Sequence, residues 1–139
     1  MTVPVAYERA SRDFYQFLCD ARDIAGVETT HRAFTMVEGV LLTFRRRLTV
    51  QEGLRFANVL PLLVRALFAS HWNATAATMP FESREAMTQE AQSLRSEHNF
   101  APHSAIRDVA EALRKNMDEA ELDEVLSTLS SEAQAFWRV

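Results

Sequence analysis

The apolar residues Phe34, Val37, Val40, Leu41, Phe44 and Leu48 recur at three- and four-residue steps, which lays them along one stripe of a helix. A stripe of that kind has to be covered by a second element, and one begins at once. Thr49 stands where it can cap a new helix, and Glu52 follows three residues later, the spacing of a capping box. The stretch from Thr30 to Trp72 therefore reads as a helical hairpin around which the rest of the chain must pack. Pro61 interrupts its second arm. A proline inside a helix removes a donor and clashes with the preceding turn, whereas at the first turn of a new helix both faults vanish. The arm is accordingly divided into two short helices, about 50–58 and 61–70, with Val59 and Leu60 in the joint.

Other segments extend the same pattern. A helix over 7–25 carries Phe14, Phe17, Leu18 and Ala21 on its inner face, and Gly26 is placed to stop it. Thr29 or Thr30 can cap the hairpin's first helix, and Arg45, Arg46 and Arg47 lie near its end, where cations complement the helix dipole. After Trp72 the run NATAATMPF reads as a connector, and Glu82 or Ser83 opens a bridging helix to about residue 98 marked by Ala86, Met87, Ala91 and Leu94. With 3 glycines and 4 prolines in 139 residues, material for hairpin turns is scarce, and 47% apolar content can build a core without staples. The expectation is an all-α fold, a compact bundle of about seven or eight helices in a single domain over 1–139.

The C-terminal part repeats the hairpin. Shifted by 69 positions, RRLTVQEGLRFANVLPLLVRALF aligns with KNMDEAELDEVLSTLSSEAQAFW. Leu48 then meets Met117, Thr49 meets Asp118, Glu52 meets Glu121, Phe56 meets Val125, Leu60 meets Leu129 and Phe68 meets Trp137, while Val37, Val40 and Phe44 meet Ile106, Val109 and Leu113. Stripe, cap, break and terminal aromatic recur in step, which points to two related units, about 29–72 and 101–139, each too short to bury its own apolar face.

These residues carry a family resemblance. Ala33 and Phe34 opening the hairpin, the Arg45 to Thr49 element, Leu60 and Pro61, Arg65 four residues after that proline, and Trp72 closing the unit resemble the bacterial family called domain of unknown function 2267. The resemblance covers nearly the whole chain and implies a small all-helical protein with no catalytic residues to carry over. Two positions depart from it. Ala66 and His71 stand where typical members have glycine, so a less sharply turned backbone is expected at both.

Function is narrowed mainly by exclusion. A formal charge of −4 does not suit a dedicated nucleic-acid binder. The lone Cys19, among apolar neighbours, reads as a buried thiol in a reducing compartment. The N-terminal sequence does not resemble a signal peptide and no run approaches the length of a membrane span, so the cytoplasm is expected and no membrane partner. His31, His71, His98 and His103 lack the spacing that presents two ligands on one helix face; His98 and His103 flank a loop with Glu97 nearby but read as ordinary solvent-facing histidines rather than a metal site, and neither metal nor cofactor is expected. The acids Asp118, Glu119, Glu121, Asp123 and Glu124 oppose a helix dipole and read as solvated caps.

The remaining candidates are Arg45, Arg46, Arg47, Arg65 and Trp72, as a ligand- or partner-binding set. Arg65, on a largely apolar helix, is expected to make a salt bridge or a carbonyl clamp across the hairpin. Trp72 and Trp137 are read as end plugs. The leading functional reading is a non-catalytic protein-interaction module, self-association included. A small-ligand or anion sensor using the arginine-rich first unit is the alternative, and an enzyme is a remote one.

Overall fold

The computed structural model describes residues 2–94 and 101–139. Among them are nine α-helices and no strand. The expected N-terminal helix is two pieces: α1 (Val5–Glu8) and α2 (Ala10–Ala25), separated at Arg9, whose φ of −97° and ψ of 1° leave the helical region. Gly26, at φ 73°, ends α2 in the left-handed conformation that glycine adopts without a Cβ clash.

Helix α3 (Thr30–Arg45) starts where the Thr29 hydroxyl accepts from the Arg32 amide. The capping box forms as its spacing implies. Thr49 Oγ1 accepts from Glu52 N at 3.2 Å while Glu52 Oε1 accepts from Thr49 N at 2.8 Å, opening α4 (Val50–Ala57). Pro61 then precedes α5 (Leu62–Ala69). Ser83 caps α6 (Arg84–Ser93); the expected extension toward residue 98 lies outside the described residues. α7 (Ala105–Lys115), α8 (Glu119–Ser127) and α9 (Ser131–Phe136) complete the chain, with Asp118 and Ser130 as caps. α4 begins at Val50 and α8 at Glu119, and α5 at Leu62 and α9 at Ser131; both pairs are 69 residues apart.

Helix α3 lies at the centre and touches α2, α5, α6 and α7, while α2 packs most broadly on α7. Met36, Val37, Val40, Leu41 and Phe44 of α3 are buried against Phe17, Leu18 and Ala21 of α2 and Ile106, Val109 and Leu113 of α7. Where the two halves meet, the core is aromatic. The Phe44 ring lies 4.8 Å from Phe56, 4.9 Å from Phe136 and 5.3 Å from Trp137, and Phe56 stacks on Trp137 at 5.4 Å. Offset or tilted pairs of this kind add roughly 0.5–1.5 kcal/mol each beyond their area burial. Asn116 joins the layers by donating Nδ2 to Asp20 Oδ2 at 2.9 Å.

Candidate functional site

Consecutive residues on a helix leave it about 100° apart, so three adjacent arginines cannot address one ligand. Arg45, Arg46 and Arg47 accordingly part company at the end of α3. Arg45 turns toward α5 and donates Nη1 to Phe68 O and Ser70 O, both at 2.8 Å. These are carbonyls that the end of α5 leaves without helical donors. Arg46 is exposed, with Nη1 3.5 Å from Glu90. Arg47 turns inward.

The Arg47 side chain has 0% exposure, and each of its five N–H bonds has an acceptor. Nε donates to Pro80 O at 3.1 Å, Nη1 to Thr43 O at 2.7 Å and Glu90 Oε2 at 2.8 Å, and Nη2 to Glu90 Oε1 at 2.9 Å and Glu82 Oε2 at 3.3 Å. The guanidinium is a fork between α3, α6 and the segment before α6. Burial pushes the Glu90 carboxyl up, but the hydrogen bonds and charges of Arg47 and Arg46 outweigh it and hold Glu90 below its ordinary value.

Arg65 forms the carbonyl clamp anticipated for it. Its Nε donates to Ala57 O at 2.9 Å, and Nη2 donates to Asn58 O at 3.1 Å and Leu60 O at 3.3 Å, tying α5 to the end of α4. The corresponding bond 69 residues later joins Gln134 Nε2 to Leu129 O at 3.3 Å. Arg45 also has a counterpart at that offset: Arg114 donates Nε to Trp137 O at 3.1 Å.

Trp72 is half-buried, whereas Trp137 is fully buried. The Trp72 ring meets Phe68 edge-on at 5.8 Å and has the Arg45 guanidinium carbon 5.4 Å from its centroid. On α4 it lies against Gly53, where a Cβ would overlap the ring, 2.6 Å from Cζ3. The turn delivering Trp72 is made by His71 at φ 55°. The looser turn expected from the missing glycine is thus not what forms: histidine is one of the side chains that tolerates the left-handed region. Ala66, the other departure, is exposed within α5.

Three of the five candidates share one concavity. Arg45, Arg46 and Trp72, with Leu48, His71 and Met79, line an open groove of about 470 Å3 between the end of α3 and the segment after α5. Its wall is pinned by Met79 N donating to Arg46 O at 2.9 Å. Arg47 and Arg65 do not line it. Burial, and then the adjacent Arg46 charge, lowers the Arg45 guanidinium from its ordinary value.

Elsewhere, Cys19 is half-buried rather than fully buried. Among the described residues no three His, Cys, Asp or Glu side chains gather as a metal site. His31, His71 and His103 are exposed, and Glu97 and His98 lie outside the described residues. No helix among the described residues is long and apolar enough to cross a membrane.

Two structural arginines escaped the sequence reading. Arg84 Nη2 lies 2.8, 2.9 and 2.8 Å from the carbonyls of Ala135, Phe136 and Arg138 beyond and within the end of α9. A cation at the first residue of α6 opposes that helix's dipole, which was the available signal. Arg114 could have been found from Arg45 by the 69-residue offset.

A search of curated proteins finds no match at the level that would show kinship. The profile of one family does match, over residues 14–136, and it spans the central helix, the groove and the arginine clamps described above. The chain belongs to the family of uncharacterized conserved proteins designated DUF2267.

Proposed function

We propose that the chain is a non-catalytic helical interaction module of the bacterial cytoplasm, built from two copies of a three-helix unit, and that it docks another protein in the groove of the first. The observation that carries this reading is the gathering of Arg45, Arg46 and Trp72 with the apolar Leu48 and Met79 in one open groove. Arginine and aromatic side chains beside apolar surface are the composition enriched at protein interfaces, and such anchors dominate their energetics. The duplication is supported by the paired bonds of Arg65 and Gln134 and of Arg45 and Arg114. The sensor reading loses support because Arg47 and Arg65, half of its anion-binding set, are engaged by carbonyls and carboxylates inside the fold.

The test is capture from host extract by the tagged full chain and by variants of matched stability. A partner retained by the native chain and by Arg12→Gln, on the exposed side of α2, but lost from Arg46→Gln and Met79→Asp is the expected result. Equal retention by all four chains overturns the reading.

A further inference from the structure

Arg45 and Arg114, 69 positions apart and each bonded to carbonyl oxygen at the end of a short helix, differ in one respect. Arg114 has carboxylates from its own chain: its Nη1 lies 3.1 Å from Glu119 Oε1 and 2.9 Å from Asp123 Oδ1. The residues 69 positions before those acids are Val50 and Leu54, which bring no charge. Among the described residues no carboxylate lies within ion-pair distance of Arg45. Its Nη1 hydrogens are both committed to Phe68 O and Ser70 O, and the Trp72 ring covers it. The Nε and Nη2 edge, the pair of donors that matches a carboxylate bidentately, has no acceptor among the described residues. That guanidinium lines the groove next to the exposed cation of Arg46.

We infer that the groove takes a carboxylate side chain from an acidic segment of the docked protein, supplying to Arg45 what α8 supplies to Arg114, with the exposed Arg46 cation, shared with Glu90, beside it. The inference rests on the interaction reading and specifies the chemistry of its partner. Acidic peptide is favoured over phosphate by the mixed lining: beside the polar His71, Asn73 and Thr78, the side chains of Trp72, Ala76, Ala77 and Met79 offer apolar surface to the stem of a Glu or Asp and its neighbours, which a hydrated phosphate would leave uncovered. The chain's own solution at Arg114 uses two carboxylates.

The probe is a synthetic peptide of residues 116–128, NMDEAELDEVLST, which carries the acids that serve Arg114, titrated into the full chain at low salt. A counterpart with every Asp and Glu amidated is the control. Trp72 reports occupancy through its emission, because Trp137 has 0% exposure and is shielded from ligand. Saturable change with the acidic peptide, absent with the amide peptide and weakened about tenfold by Arg46→Gln, is the expected outcome, since that variant removes the exposed cation beside the Arg45 edge. Added salt should weaken it further. Equal binding of the amide peptide, indifference to Arg46→Gln in a variant of unchanged circular dichroism, absence of binding, or displacement by equimolar inorganic phosphate each overturns the inference. If the peptide fails while capture of a partner still depends on Arg46, the interaction reading stands and only the acidic chemistry falls.

Discussion

Removing Glu90 tests whether the Arg47 fork is a dry structural joint. The side chain of Arg47 has 0% exposure and that of Glu90 14%, so Glu90→Ala strands a cation that water cannot easily reach. Two charge-assisted bonds, at 2.8 and 2.9 Å, would each contribute about 1.5–3 kcal/mol. Glu82, 51% exposed and 3.3 Å from Nη2, and the carbonyls of Thr43 and Pro80 remain to hold part of the charge. The net cost is therefore set at about 3 kcal/mol, the lower end for breaking a buried pair. For a chain of this size that is about 10 °C in Tm.

Urea unfolding followed by circular dichroism measures it. The comparison is with Arg46→Ala, which loses only a half-exposed contact at 3.5 Å and should cost less than about 0.5 kcal/mol. Replacing both members of the fork, Arg47→Met with Glu90→Met, should recover most of the loss, because an apolar pair of similar volume escapes the desolvation cost. A Glu90→Ala loss no larger than that of Arg46→Ala, or a double variant as unstable as the sum of the singles, would refute the picture of a dry, fully bonded guanidinium.

Four further outcomes follow from named contacts. Glu90, held below its ordinary 4.5, contributes stability that is present above that value and lost as pH falls through its folded value; acid titration of unfolding should show this in the native chain and not in Glu90→Gln. Asp108 has the opposite sign: burial raises it above 3.8 despite the bond from Ser104 Oγ at 2.6 Å, so its charged form is penalised as pH rises through that interval, and Asp108→Asn should be more stable than the native chain at neutral pH but not in strong acid. Gly53→Ala should cost about 1–3 kcal/mol through overlap with the Trp72 ring, with a red shift of tryptophan emission, and Trp72→Leu should relieve it. Leu60→Asp places a charge in a joint only 2% exposed and should abolish the cooperative unfolding transition.

What was legible in the sequence was what is local. Thr29, Thr49 with Glu52, and Asp118 each act on an amide two or three residues away, so cap and helix start can be read within one turn. The apolar stripe of α3 was legible for the same reason: Phe44 and Leu113, placed in the core by spacing alone, are both fully buried. The break at Arg9 left no such mark, having neither proline nor glycine. The fate of the Arg45 to Arg47 run depended on helix phase and on which element lay at each angle, and Glu90, 43 residues from Arg47, decided it. Arg84 depended on carbonyls more than fifty residues away. The turn at His71 leaves no mark in the sequence: the missing glycine implies a missing conformation only where no other side chain can adopt it, and packing of Trp72 on Gly53 and Phe68 holds a histidine there.

The recurrence of arginine at helix ends has one physical origin. A helix leaves its last four carbonyls without intrahelical donors, and in helices as short as α4, α5 and α9, of 8, 8 and 6 residues, those carbonyls are half or more of the total. Glycine-based C-caps would supply backbone donors, but the chain has only 3 glycines, one of which ends α2. Arginine supplies them instead. Arg65 serves α4, Arg45 serves α5, Arg84 and Arg114 serve α9, and Arg47 reaches back to Thr43 O within α3. A lysine ammonium offers three donors at a point, whereas the guanidinium fork spans several carbonyls at once, and the chain uses 14 arginines and one lysine. An arginine bound to carbonyls keeps its charge, since carbonyls accept hydrogen bonds without neutralising it. Where no carboxylate among the described residues completes the set, as at Arg45, the clamp that holds the fold also leaves a cation in the groove for another molecule to meet.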